Sequence, residues 1–405
     1  MNMALSQSVK DSIRTELDEV VAIRHDLHKN PELSFQEERT SKVVQRELDR
    51  LGIAYEAGKA GGTGVVAFIP STEADADTPS VALRADMDAL PITEQTGLSY
   101  SSTRDGVMHA CGHDGHTSIL LGAARVLSAL ETRPNNVTLV FQPAEESGGG
   151  GQRFCAEGML EGSAGGGIGP RVGRIFGLHG WPSLKLGTVR TKPGPLMAST
   201  DEFIITVKGK GGHAARPHLA RDPIVAASAI VMGLQTIVSR STSPVDSLVC
   251  TIGRIEGGTV DNVIPEAVEL EGTTRALTPE MRKLAEERVR EISESVARAH
   301  GCTVEIRWNV GYPVVHNDRA MVEKFFDLAG RVLGEDNVSL AEAPVMGGED
   351  FAYYAEHVPA CFFFLGLCPK GDGSYPEIHT PRFDFNDKAI PLGIELMTRL
   401  ALGTY

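Results

Sequence analysis

The sequence predicts an α/β layer fold into which a smaller unit is inserted, with the β-α-β-β-α-β order of a ferredoxin-like split arrangement. Three observations predict it. Apolar runs such as Val137–Phe141 and Ala360–Leu367 are near-continuous, as in strands buried on both faces. Segments with apolar residues at helical spacing alternate with these runs. Near Pro195 the pattern changes to half-exposed alternating strands and longer helices, and after Gly311 it changes back.

Taken in order, Val9, Ile13, Leu17, Val20 and Leu27 mark one face of a helix over 8–29, stopped by Asn30-Pro31. A second helix over 36–51 has Gly52 just past its end. Strands follow at Gly64–Ile69 and at Ser80–Arg84, the latter running into Ala85-Asp86-Met87-Asp88. From His113, the spacing of Ile119, Leu120, Ala123, Val126, Leu127 and Leu130 predicts a helix. Val137–Phe141 ends in Gln142-Pro143-Ala144-Glu145-Glu146, a helix covers about 152–160, and the strand Arg174–Leu178 ends in His179-Gly180-Trp181. The inserted unit, 196–311, reads as strand Glu202–Lys208, helix 222–238, strands 247–256 and 264–275, helix 278–300 and strand 303–310. Residues 1–195 and 312–405 form the larger domain, which closes with helix 318–333, the 360–367 run and helix 386–402.

Composition bounds the function. The 405 residues are 41% apolar with a net charge of −14, enough for a real core and for solubility. No basic cluster is dense enough for a nucleic acid partner. An acidic surface does not attract anionic substrates, so carboxylate specificity must come from a few local cations. No run of 18 apolar residues occurs, and Met1–Lys10 is polar, unlike the apolar core of a signal peptide. Six scattered cysteines make no disulfide framework. The expectation is a reduced, cytoplasmic protein with no membrane partner.

The densest chemistry lies in His109-Ala110-Cys111-Gly112-His113-Asp114-Gly115-His116, which packs three histidines, a cysteine and an aspartate into eight residues. Thiolate, imidazole and carboxylate are the donors that zinc and similar cations take. Glu145-Glu146 adds two carboxylates at a strand end. Beside a cation one can ligate while the other takes a proton from water and passes it to a leaving amine. Singly these residues say less. A lone Glu-Glu pair is usually solvated, His179 alone is usually a satisfied core histidine, and Cys111 alone is usually a small buried hydrophobe. Asp86 and Asp88 alone merely end a strand. Yet Asp86, Asp88, Glu145, Glu146 and His179 all sit at carboxyl ends of strands, where such sheets gather their sites. The two aspartates suit the orientation of metal-binding imidazoles. The Gly148–Gly151 run lacks the Lys-Ser/Thr of a phosphate loop, and no G-x-S-x-G elbow is present.

Further stretches complete a pattern: Arg24-His25-Asp26-Leu27-His28 with Pro31-Glu32-Leu33-Ser34, Arg84–Pro91, Phe141–Glu146, Gly177-Leu178-His179, Gly212–His218, Asn262-Val263-Ile264-Pro265, Gly347–Phe351 and His379-Thr380-Pro381. With the 109–116 cluster they resemble the dinuclear-metal aminoacylase and carboxypeptidase superfamily, in its hippurate hydrolase and auxin-conjugate amidohydrolase branch. The resemblance implies a phosphorylase/hydrolase-like α/β catalytic domain, with the inserted unit as lid and dimerisation surface of a homodimer or larger homo-oligomer. It implies that Cys111, His113, Glu146, His179 and His379 ligate two divalent cations, with Cys111 as the bridge. Zinc is the first expectation, then manganese, cobalt or nickel. Glu145 is implied as general acid/base, and His213 as the donor that polarises the scissile carbonyl, from its own or a neighbouring subunit. Asn262 and Arg275 are implied to hold the substrate carboxylate. Asp86 stands where other branches place a ligand histidine, and Asp88 orients His113. The implied reaction is hydrolysis of an N-acyl-L-amino acid to a carboxylate and a free amino acid. A dipeptidase with the same centre is the alternative, and a non-catalytic metal-binding module would require ligands or base to be missing.

Overall fold

Valine, isoleucine and phenylalanine concentrate in strands that gather into one eight-stranded sheet. The computed structural model describes residues 3–403, with side chains from residue 7. Residues 1, 2, 404 and 405 lie outside the described residues, and with them the very start of the Met1–Lys10 stretch. The chain divides into two units, one of residues 1–194, 316–342 and 350–405, the other of 195–315 and 343–349.

In the larger unit the sheet order is Ala54–Lys59, Gly64–Ile69, Val137–Gln142, Ser80–Asp86, Val172–Lys185, Ala360–Cys368, Val189–Thr191, Val338–Leu340. The four central strands, from Val137–Gln142 to Ala360–Cys368, are parallel to one another. Ser80–Asp86, Val137–Gln142 and Ala360–Cys368 are buried along their whole length, as continuous apolar runs require. The helix His113–Ala129 is buried over almost all its length and packs on Met3–Lys29 and Ile390–Leu402. Gly115 brings its first turn against the Phe385 ring, closer than any Cβ allows.

The elements differ from expectation in particular places. The strand expected to stop at Leu178 runs on to Lys185, held by its ladder to Ala360–Cys368. Its other ladder, to Ser80–Asp86, stops at Arg84 opposite Gly177, so His179 emerges where one neighbour ends. The helix expected over 152–160 is Gly150–Ala156 and then a 3-10 turn, Met159–Ala164, because Gly158 takes φ 77° between them. Ala54–Lys59, Val189–Thr191 and Val338–Leu340 were not anticipated, being short and largely without apolar alternation.

The smaller unit has its own core of Phe203, Ile205, Val207, Ile230, Leu234, Leu270 and Val289. Its antiparallel sheet runs Leu248–Glu256, Ala267–Ala276, Ser199–Lys208, Thr303–Val310, and two helices, Pro223–Thr236 and Pro279–Ala299, pack on it. Each helix opens with a side-chain cap and proline, Asp222-Pro223 and Thr278-Pro279. Residues 343–349 join this unit because the Ala198 amide donates to the carbonyls of Val345 and Gly347. Among the described residues, 223–241 is the one helical stretch long and apolar enough to cross a membrane. It buries Ala226, Ala227, Ile230, Leu234 and Ile237 in the unit's core and leaves Ile224, Val225, Met232 and Val238 exposed.

Candidate metal centre

The left-handed Gly112, φ 90°, turns the chain into the buried helix and sets Cys111 and His113 on either side of the turn. The long Val172–Lys185 strand carries His179 to this point, and the Cys111 Sγ lies 3.2 Å from His179 Nε2. His379 arrives from far along the chain. Its own left-handed backbone, φ 60°, is pinned where its amide donates to the Ala110 carbonyl at 2.8 Å. His379 Nε2 then sits 3.3 Å from Cys111 Sγ and 3.3 Å from Glu146 Oε1. His113 Nε2 is 3.9 Å from Glu146 Oε1 and 4.0 Å from Glu145 Oε2. Two donor triads result, Cys111-His113-His179 and Cys111-Glu146-His379, and they share the thiol.

Hydrogen bonds aim the imidazoles. His113 Nδ1 donates to Asp88 Oδ1 at 3.1 Å and His179 Nδ1 donates to the Gly180 carbonyl at 2.8 Å, which leaves each Nε2 facing the cluster. His116, which sequence reasoning assigned no role, uses both nitrogens for scaffolding. Its Nδ1 donates to Asp86 Oδ1 at 2.7 Å, and its Nε2 accepts the Gly180 amide at 2.9 Å. Asp86 is fixed in turn by Arg84 at 2.7 Å, and Arg84 also bonds Asp350 at 2.8 Å and Gln142 at 2.9 Å. His109 is buried with neither ring nitrogen hydrogen-bonded, and burial pushes its pKa down to about 4. It belongs to none of the donor groups.

Asp88 does more than orient His113. Its two oxygens also accept the backbone amides of Glu145 and Glu146, at 3.1 and 3.0 Å, and the Ser34 hydroxyl at 2.7 Å. No spacing in the sequence signals this. Acceptors of backbone amides leave no side-chain pattern to read.

The residues fit a metal. His113 Nε2 and Glu146 Oε1 are buried without hydrogen-bond partners. Such atoms cost about 1–3 kcal/mol each unless something coordinates them. Burial works against a charged His113, yet Asp86, Asp88 and Glu146 outweigh it and push the imidazole up to about 10. Burial, then the charges of Glu146 and Glu145, drives the Cys111 thiol well up. Burial, then His116, holds His179 well down, in the neutral form that binds cations. These shifts describe a pocket with too much negative charge, which a divalent cation would offset.

In the smaller unit, His213 lies exposed on the short strand Gly212–His213, paired with Val263-Ile264. Its Nδ1 accepts the Ala215 amide at 3.2 Å. The Asn262 carbonyl accepts the Ala214 amide at 3.1 Å, which brings these two residues side by side. Arg275 sits half-buried in the Ala267–Ala276 strand, donating to the Thr274 carbonyl at 2.9 Å and to the Thr273 hydroxyl.

Known proteins resemble this chain in sequence and architecture. Residues 82–403 match the peptidase family M20/M25/M40. N-acetylcysteine deacetylase of Bacillus subtilis is 40% identical over 384 residues, covering 95% of this chain and 96% of that protein. IAA-amino acid hydrolase ILR1-like 5 of Arabidopsis thaliana is 39% identical over 389 residues, 95% of this chain and 86% of that one. The crystal structure of the Bacillus subtilis YXEP protein, described as a dinuclear metal binding peptidase from the M20 family, superposes with a TM-score of 0.81 at 36% identity. That superposition covers 96% of this chain and 98% of the other. By match length, identity and architecture, this chain belongs to peptidase family M20/M25/M40.

Proposed function

We propose that this enzyme, a hydrolase of amide bonds, cleaves N-acyl-L-amino acids to a carboxylate and a free amino acid. The observation that carries the reading is the pair of donor triads meeting at Cys111 Sγ, with the Glu145 carboxylate beside them. Cys111, His113 and His179 would hold one divalent cation, and Cys111, Glu146 and His379 the other. Cations held there would supply an acidified water and polarise the amide carbonyl. Glu145 takes the proton from the attacking water and delivers it to the leaving amine. Asp88 keeps Glu145, Glu146 and His113 in register, and Asp86 with His116 keeps the strand end beneath His179. His213 stabilises the oxyanion, a donor worth about 3–4 kcal/mol of barrier. Asn262 and Arg275 take the substrate carboxylate. The acyl-amino-acid reading is supported by relatives named as an N-acetylcysteine deacetylase and an IAA-amino acid hydrolase, and these names do not favour the dipeptidase alternative. Zinc suits the thiolate and imidazoles, with manganese, cobalt and nickel next.

The exposed Ile224, Val225, Met232 and Val238 support a homodimer formed through the smaller unit. The acidic, disulfide-free chain supports a cytoplasmic setting. One experiment tests the chemistry. Purified protein is assayed against hippurate, N-acetyl amino acids and dipeptides, after chelation and after return of each metal. Loss with chelator, recovery with metal and preference for the N-acyl substrates are expected. Chelator-resistant turnover, or dipeptides as better substrates, would sink the reading.

A further inference from the structure

Pro143-Ala144-Glu145-Glu146 leaves its strand through Ala144, which takes φ 55°. A non-glycine residue in the left-handed region needs its surroundings to hold it there. Ala144 is fully buried, so its amide cannot turn to water. The partner of that amide is Glu37. One Glu37 oxygen accepts the Ala144 N–H at 2.9 Å, and the other accepts the Thr63 hydroxyl at 2.8 Å.

Glu37 is placed oddly for any other role. It stands at the N-cap of the Glu38–Leu51 helix, where a side chain ordinarily caps the first turn, and it makes no such bond. It is completely buried, a costly place for a carboxylate without a function. The supporting loops close round it. Phe35, itself at φ 61°, packs against Gly148, which takes φ 105°, and the Gly150 amide donates to the Ala144 carbonyl at 3.1 Å. With the two amides on Asp88, three successive backbone N–H groups, 144 to 146, end on buried carboxylates.

We infer that Glu37 is a positioning residue for the reaction: by holding the Ala144 amide, it fixes the backbone from which Glu145 reaches the proton it moves. The inference rests on Glu145 being the general base. Neither metal triad includes Glu37, so its loss is expected to disturb turnover before metal content. A displacement near 1 Å at a reacting group costs on the order of 100-fold in rate.

The test uses the full-length, metal-loaded enzyme, with kcat, KM and metal content measured for Glu37→Gln, Glu37→Asp and Glu37→Leu. Glutamine keeps an oxygen for the Ala144 amide, and its NH2 can donate to the Thr63 oxygen. It should stay within about threefold of the parent in kcat, because the acceptor geometry survives. Aspartate is charged but too short, and leucine has no acceptor. Both should lose roughly 10- to 100-fold in kcat with KM and metal content near parental, the signature of a misplaced base. If Glu37→Leu does not fold, the aspartate and glutamine variants give the same contrast. Parental kcat in the aspartate variant overturns the inference. So does a glutamine variant as slow as the aspartate one, or a loss of kcat matched by a loss of metal. Glu145→Gln, run alongside, separates the two ideas. If it turns over like the parent, the general-base assignment has failed, whatever the Glu37 series shows.

Discussion

Cys111 and Glu145 carry opposite expectations although they lie within one cluster. Cys111→Ala removes the donor common to both triads, so elemental analysis should find the variant with well under two cations per chain. Two retained cations would deny the thiol its bridging place. Glu145→Gln removes a proton acceptor and no ligand, so both metals should stay while kcat falls about 10²- to 10⁴-fold. Residue types such as thiol and imidazole could be read directly from the sequence, because few other roles need them at that density. Asp88, Arg84, Asp350 and His116 were harder, since their work lies in contacts made across the sheet. Glu37 was invisible. It looks like one more polar residue ahead of a helix, and only the backbone at Ala144 gives it meaning.

The helices hold the centre from beneath, and two of them yield predictions. Gly115 touches the Phe385 ring, which also lies edge-on to His116 at 5.7 Å. Gly115→Ala must push that ring away, and should destabilise the protein by about 1–3 kcal/mol, the usual range for overpacking. Thermal unfolding measures it, and an unchanged melting temperature would mean the ring moves freely. In the first helix, Arg24 and His28 both reach Asp114, at 2.9 Å each, and His28 also lies 3.3 Å from Glu94. Burial opposes a charge on His28, but Asp114 and Glu94 prevail and push it up to about 9. The folded value thus exceeds the ordinary 6.5. The stabilisation is complete below pH 6.5 and is lost as pH rises through 9. His28→Gln should therefore flatten the fall of stability across that window in denaturant titrations at successive pH values. Buried parallel strands and capped helices were legible because their apolar patterns are long. The extension of the His179 strand to Lys185 was not, because a ladder on one side only sustains it.

At the scale of the whole molecule, the texture of the sequence changes near Pro195 and again after Gly311, and the compact units divide at 194/195 and 315/316. The return of 343–349 to the smaller unit rests on hydrogen bonds to Ala198, and no composition marks it. Chelation should lower the melting temperature of the larger unit, since an emptied cluster leaves the buried Glu146 Oε1 and His113 Nε2 without a cation to satisfy them, and added metal should restore it in proportion to its free concentration. Equal melting temperatures with and without chelator would contradict a bound cation. Met232→Glu places a charge on the exposed face of the 223–241 helix. If the proposed homodimer forms through this face, the variant should sediment as a monomer while the fold survives, and an unchanged mass would assign the contact elsewhere.

The bond between the His379 amide and the Ala110 carbonyl joins positions 269 residues apart, and the second triad waits on it. During synthesis His379 emerges 268 residues after Cys111, and that triad cannot exist before it does. A polypeptide that stops short of His379 would lack one member of the proposed second triad. On the proposed ligand set, the first triad is complete once residue 179 has folded into place, whereas the second cation has to wait for His379.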